Sequence, residues 1–284
     1  MEIMRILFIG GDARMRYAAR KLSENSETVT FSEGERPDTV NNIDIFDAVV
    51  LPLPLTKDGK TVFAPSEHSP MSFDMLFETL RLFADEHTVI LAGGESPALT
   101  EFCAELGCRL VNYFTYEPLT LRNAALTAEA ALCLLSQSGD GALLDSAALI
   151  TGSGRIAFFL AERLKACGAA VTLAARNKDK RELARLGGYE VISLDELPDM
   201  LSRFDYIANT VPAPLFDETA FAKMRSGAVF QELASLPEQP QSSLAERFGI
   251  KYIYAGGLPG KYSPQAAGEY IALAVRELLT VEPR

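Results

Sequence analysis

Residues 147–157 read Ala-Ala-Leu-Ile-Thr-Gly-Ser-Gly-Arg-Ile-Ala. A short apolar segment meets Gly-x-Gly-x-x-Ala and passes without a break into a helical pattern, Phe158 to Cys167, which stops at Gly168. No other stretch constrains the fold as much, because strand, tight turn and helix must follow one another within a few residues. Gly152 makes the turn, Gly154 lets the backbone approach a pyrophosphate, and the small Ala157 lets the helix pack close to the strand. The helix N-terminus then offers N–H groups and a partial positive charge to the phosphates. Ser153, Arg155 and Ile156 lie in the same turn and are expected around a cofactor. A strand-to-helix connection without a ligand has the same spacing, but a second strand one helix later favours a dinucleotide site.

That second strand, Ala170–Ala175, ends in Arg176-Asn177-Lys178. An NAD-specific domain places Asp or Glu here to accept from the ribose 2′-hydroxyl. Arg176 stands there instead, with Asn177 and Lys178 beside it, and cations suit a 2′-phosphate. NADP(H) is therefore the expected cofactor, against the plainer reading of a solvated basic turn.

With 284 residues the chain has room for two domains with separate cores. A net charge of -11 argues against nucleic acid, which needs a basic face, but not against a small anionic substrate held by local cations. Cys103, Cys108, Cys133 and Cys167 lack metal-ligand or CxxC spacing and lie in apolar helical patterns, so buried, reduced thiols and a cytoplasmic protein are expected. No metal site is read. The N-terminus runs straight into a strand and no apolar run approaches the length of a membrane span, so no membrane association is expected.

Strands and helical patterns alternate from Arg5 to Val111 and again from Ala147 to Tyr254, which predicts an α/β protein of two Rossmann-like, doubly wound parallel-sheet domains with a cleft between them. Leu55 to Pro70 reads as a long surface loop. The predicted organisation is a flavodoxin-like substrate domain over 1–117, an interdomain helix over 118–138, a nucleotide-binding Rossmann domain over 139–262, and a C-terminal helix over 263–284 packing back on the first domain.

In open parallel sheets ligands sit outside the carboxyl ends of the strands. In the second half these ends are the Gly152 turn, Arg176, Asn209-Thr210-Val211-Pro212, Leu233-Ala234-Ser235 and Gly256 to Lys261. Asn209 and Thr210 suit a ribose or an amide, Pro212 stops the strand, and Val211, Ala234 and Leu258 complete the expected lining. In the first half the ends are Gly10 to Arg14 and Pro52 to Pro54. Gly11, Asp12 and Arg14 offer N–H groups and a guanidinium fit for a carboxylate, with Pro52 and Pro54 nearby. Asp12 equally suits a helix N-cap. Acid–base candidates are few: Lys261 after a glycine-rich strand end, Glu129 as an option, His87 at a strand entry and His68 in the long loop, the last two read as structural and solvated.

Several segments together resemble the family of the dipicolinate synthase A subunit: Ile-Gly-Gly-Asp-Ala-Arg at 9–14, Val-Leu-Pro-Leu-Pro at 50–54, Arg-Asn-Ala-Ala-Leu-Thr-Ala-Glu-Ala-Ala at 122–131, Gly-Ser-Gly-Arg-Ile-Ala at 152–157, Ala-Ala-Arg at 174–176 and Gly-Leu-Pro-Gly-Lys-Tyr-Ser-Pro-Gln-Ala-Ala-Gly at 257–268. The resemblance spans nearly the whole chain. It implies a pyridine-nucleotide-dependent oxidation of a dihydrodipicolinate-type intermediate, a dicarboxylate derived from the lysine pathway, to dipicolinate. It further implies a flavoprotein-like B subunit, the mother-cell cytoplasm of a spore former, and an architecture similar to formate/glycerate dehydrogenases. A homo-oligomer is expected. Two other readings stay open: a 2-hydroxy-acid dehydrogenase, although the late histidine of such chains is missing, and a non-catalytic NADPH-binding sensor.

Overall fold

A computed structural model describes residues 3–31, 45–65, 71–139, 141–235 and 242–280. In chain order the elements of the first half are β1 (Arg5–Ile9), α1 (Ala13–Leu22), β2 (Glu27–Phe31), β3 (Ala48–Val50), α2 (Phe73–Phe83), β4 (Val89–Ala92), α3 (Pro97–Leu106), β5 (Arg109–Asn112) and α4 (Glu117–Ser138). Then come β6 (Ala147–Thr151), α5 (Arg155–Ala166), β7 (Ala170–Ala174), α6 (Lys178–Leu186), β8 (Glu190–Ile192), α7 (Leu197–Met200), β9 (Tyr206–Asn209), α8 (Glu218–Lys223), β10 (Val229–Glu232), α9 (Ser242–Arg247), β11 (Lys251–Tyr254), α10 (Leu258–Tyr262) and α11 (Pro264–Thr280). Two compact units result: residues 1–123 with 263–284, and residues 124–262.

The first unit carries a parallel sheet in the order β2-β1-β3-β4-β5. Its inner strands β1, β3 and β4 are short, largely apolar runs because both faces are covered. Leu7, Ile9 and Val49 pack into one core with α2 and α3, while Ile6, Phe8, Ala48 and Val50 pack on the other side with α1 and α11. Side chains capping the helix starts fix where the helices begin. Asp12 accepts from the Arg14 amide, Ser72 from Met75 and Ser96 from Leu99, with Pro97 in the first turn of α3. Helix α11 crosses α1 so closely that a Cβ on Gly268 would meet the Arg14 carbonyl, and the Tyr17 Cβ at 2.7 Å.

The second unit has six parallel strands in the order β11-β10-β9-β6-β7-β8, the arrangement of dinucleotide-binding domains. Strand order reverses between β6 and β9, so the ligand crevice lies outside their carboxyl ends. The register aligns Thr151 with Asn209, Asn209 with Glu232 and Glu232 with Tyr254 across four neighbouring strands. Gln231, one residue earlier on β10, faces the opposite core and donates to the Ala131 carbonyl of α4 at 3.2 Å.

Three expectations are corrected. Over residues 55–65 the stretch is not a plain surface loop, residues 66–70 lying outside the described residues: Leu55 and Val62 are buried at 1% exposure and Thr61 bridges Ser72, because the chain has to cover the edge of the first core. Two short helices, α9 and α10, lie where the sequence reads as loop, the second within the glycine-rich Gly256–Lys261 segment. Of the four cysteines, Cys103 and Cys108 are buried but Cys133 and Cys167 are exposed. Among the described residues no helix is long and apolar enough to cross a membrane.

Candidate functional site

The turn after β6 is built for close approach. Gly152 has φ +108, a left-handed conformation that a side chain would strain, and a Cβ there would collide with the Thr210 hydroxyl. Gly154 is different: its backbone is extended, it caps α5 without a side-chain hydrogen bond, and a Cβ would meet nothing within 4 Å. Open space in front of an uncapped helix N-terminus is what an anionic pyrophosphate requires. Ser153 and Ile156 are half-buried beside this opening, and Arg155 is exposed. The residues therefore fit a dinucleotide on an observation independent of the motif.

At the end of β7 the backbone turns outward. Arg176, Asn177 and Lys178 are all exposed, and no carboxylate stands at that strand end. Asn177 is the N-cap of α6, its Oδ1 accepting from the Lys180 amide at 2.9 Å, so its side chain is committed to the helix. Arg181, not singled out from sequence, donates through Nη1 to the carbonyls of Ala175 at 2.6 Å and Arg176 at 3.1 Å and so fixes the turn that presents Arg176.

The carboxyl ends of β6, β9 and β10 hold a connected polar network. Thr151 Oγ1 donates to Asn209 Oδ1 at 2.6 Å; Asn209 Nδ2 donates to both Glu232 carboxylate oxygens at 2.9 and 3.0 Å; the Ala234 amide donates to Glu232 Oε1 at 2.9 Å. Asn209 Oδ1 also accepts from the Val211 amide, and Thr210 Oγ1 donates to the Thr151 carbonyl at 2.7 Å. Asn209 thus has its donors and acceptor engaged inside the protein, which corrects its expected part as a direct ligand to a ribose or amide: at 1% exposure it shapes the Thr210–Pro212 turn. Thr210 and Val211 are half-buried and Pro212 is exposed along that turn, whereas Ala234 and Leu258 are buried and contribute packing.

Glu232 was not among the sequence candidates. It is completely buried, and burial pushes its carboxyl above the ordinary glutamate range, with the Asn209 and Ala234 hydrogen bonds pulling the other way. Tyr252, whose buried hydroxyl has no hydrogen-bond partner among the described residues, is pushed up to about 12 by burial and by the Glu232 charge. A charged residue ending a strand that opens with the apolar run Ala-Val-Phe and continues Gln-Glu is the signal that marks the position.

In the first unit, Gly10 to Arg14 and Leu51 to Pro54 lie at the carboxyl ends of β1 and β3, where its strand order reverses. The hydrogen-bonding capacity of this turn is mostly satisfied internally. Gly11 N–H donates to the Phe63 carbonyl at 2.7 Å, and the Arg14 amide donates to Asp12. Arg14, 7% exposed, binds Asp12 through Nε and Nη2 at 2.9 Å each and reaches the Leu53 carbonyl with Nη2. Asp12 is the N-cap and the counter-ion together. Pro52 is buried, Pro54 is half-buried, and the Leu53–Pro54 peptide is cis.

The remaining candidates are placed plainly. Lys261 is exposed on α10. Glu129 is engaged with Arg163 at 3.2 Å. His87 stands before β4, at the amino end of the sheet, with its side chain 85% exposed, and His68 lies outside the described residues. Among the described residues no group of His, Cys, Asp and Glu could hold a metal ion.

Comparison with known proteins follows the same division. Residues 5–114 match the N-terminal domain of the dipicolinate synthase A subunit, and residues 137–235 match the NAD binding domain of D-isomer specific 2-hydroxyacid dehydrogenases. The solved structure of D-2-hydroxyisocaproate dehydrogenase shares the fold, with TM-score 0.54 at 14% identity over 97% of this chain and 96% of the other. The A subunit of dipicolinate synthase from Bacillus halodurans superposes with TM-score 0.84 at 26% identity, covering 99% of this chain and 98% of the other. The A subunit of dipicolinate synthase from Bacillus subtilis (strain 168) is 30% identical over 97% of this chain and 96% of its own length. An end-to-end relationship of this extent, spanning both the N-terminal domain and the nucleotide-binding domain, makes the chain a member of the family of the dipicolinate synthase A subunit.

Proposed function

We propose that this chain is the NADP-dependent catalytic subunit that oxidises a dihydrodipicolinate-type intermediate to dipicolinate. The observation that carries the reading is the open, uncapped N-terminus of α5 at Gly154, in a chain related over its whole length to the A subunit of dipicolinate synthase. A bound nicotinamide supplies the hydride acceptor. The protein's part is binding and orientation. The Gly152–Ile156 turn and α5 hold the pyrophosphate, Arg176 and Lys178 hold the adenosine 2′-phosphate, and the Thr210–Pro212 turn, braced by Asn209, shapes the nicotinamide half.

Substrate carboxylates are assigned to the rim formed by Gly11, Asp12, Arg14, Pro52 and Pro54. Arg14 Nη1, which makes no hydrogen bond among the described residues, is the donor left for them. Loss of a hydride to the nicotinamide and of a proton to solvent aromatises the ring; Lys261 serves as a proton acceptor on that path only in its neutral amine form, and no histidine is required. The names of the relatives support a partner, the B subunit; the same family reading supports assembly with further copies of this chain and work in the cytoplasm of a sporulating cell.

The test is dipicolinate formation from dihydrodipicolinate generated in situ, with NADP⁺ or NAD⁺, with and without the candidate B subunit. Dipicolinate should appear with NADP⁺ in proportion to NADPH. Its absence under every condition would overturn the reading.

A further inference from the structure

Glu232 is unusual for its surroundings. It is 0% exposed, at the carboxyl end of β10, two strands from the fingerprint strand β6. Its carboxylate accepts from Asn209 Nδ2 and from the Ala234 amide, and among the described residues burial, Asn209 and Ala234 are what act on it, with no Lys, Arg or His. The titratable groups beside it are Tyr252 and, in register with it on β11, Tyr254; neither carries positive charge. A buried carboxyl with hydrogen-bond donors but no cation is electrostatically unfinished: its ionised form gains most from any positive charge brought near it.

The fold says where such a charge would come from. The 2′-phosphate end of a dinucleotide lies at the end of β7, and the pyrophosphate lies at the start of α5. The other half of the molecule therefore runs over β9 and β10, whose ends carry Asn209 and Glu232. Oxidised nicotinamide is a cation and reduced nicotinamide is neutral. Their carboxamide offers the same hydrogen-bonding groups, and the ring charge is the difference that a carboxylate at this place can read.

We propose that Glu232 is the group through which this domain distinguishes oxidised from reduced nicotinamide cofactor, its ionised carboxylate favouring the cationic ring without touching it. The inference rests on the dinucleotide reading above. It has two consequences. Binding of the oxidised cofactor drives a proton from Glu232 to solvent, whereas binding of the reduced cofactor does not. Preference for the oxidised form rises with pH as Glu232 ionises, by about tenfold for unit charges acting across a partly screened interior.

Isothermal titration of the complete chain with NADP⁺ and NADPH, and with NAD⁺ and NADH, in buffers of different ionisation enthalpy counts those protons over a range from about pH 5 to about pH 8. The 2′-phosphate titrates in both members of its pair and cancels in the comparison. More protons should be released with the oxidised member, and the ratio of reduced to oxidised Kd should climb with pH. In Glu232→Gln the difference in proton count should vanish and the ratio should become flat, while Glu232→Asp should restore part of both. Equal proton counts in the unmodified protein overturn the inference alone, with no variant needed. Failure of all four nucleotides to bind overturns the dinucleotide reading and this inference with it. A Glu232→Gln protein that weakens both members equally at every pH assigns Glu232 to structure only and also overturns it.

Discussion

Asn209 donates one side-chain amide group to both oxygens of Glu232, at 2.9 and 3.0 Å, while its own carbonyl oxygen accepts from Thr151 at 2.6 Å. One neutral side chain thus ties together the ends of three strands at the place where the sheet order reverses. The consequence is mechanical, because the turn that follows β9 takes its shape from this amide.

Asn209→Ala should be among the most damaging single changes in the second unit. It removes the donors to a buried carboxylate and leaves Thr151 Oγ1 and the Val211 amide without their acceptor. The expected loss is about 3 kcal/mol, measured by chemical denaturation. The loss should be smaller at low pH, where a protonated Glu232 no longer needs the donors. Equal losses at acidic and alkaline pH would show that the carboxylate is not what Asn209 serves.

Stability should also carry a pH signature of Glu232 itself. Its carboxyl is raised in the folded protein by burial, so the stabilisation linked to it is present below the ordinary glutamate pKa of about 4.3 and is lost as pH rises through the folded value. Glu232→Gln has no such dependence. Relative to the unmodified protein, its unfolding free energy should therefore improve as pH increases; an unchanging difference would contradict the burial argument.

The two glycines of the fingerprint should separate stability from binding. Gly152→Ala places a side chain at φ +108 against Thr210 and should cost about 1–3 kcal/mol of stability. Gly154→Ala meets no neighbour and should leave the melting temperature nearly unchanged, yet weaken NADP(H) binding by tenfold or more, roughly the loss of one good contact. Both are read by a thermal melt with and without nucleotide.

Cofactor preference should depend on Arg176. Thermal stabilisation is expected to be greater with NADPH than with NADH, and Arg176→Ala should abolish that difference, a change of about 1–2 kcal/mol for a charge-assisted contact. If the variant keeps the preference, the 2′-phosphate is read elsewhere.

The crossing of α1 and α11 offers a test far from any nucleotide. Gly268→Ala would press on the Arg14 carbonyl and Tyr17 Cβ and force the helices apart, costing about 1–3 kcal/mol. Nucleotide affinity should be unaffected, since Gly268 belongs to the first unit.

Much of the fold was legible in the chain. Helix starts announce themselves because a cap is a local event: Asp12, Ser72, Ser96 and Asn177 each bond an amide two or three residues on, and each stands just before a helical pattern. Strand runs such as Ala147–Thr151 are readable because burial on both faces leaves mostly apolar residues. Short helices such as α9 and α10 escaped, since one or two turns give no period to detect. The apolar residues after Leu55 escaped too, scattered among loop residues whose burial depends on a core formed elsewhere in the chain.

By itself, the sequence determined the alternation of strands and helices, the dinucleotide fingerprint and the family, all of which are written in neighbouring residues. Tertiary structure alone decided what Arg14, Asn209 and Glu232 do. Arg14 is engaged with its own cap Asp12 and with Leu53, 39 residues away. Asn209 and Glu232 are 23 residues apart and meet only because β9 and β10 lie side by side in register. Hydrogen bonds and burial across strands are set by sheet order, and no local pattern of residues encodes that order.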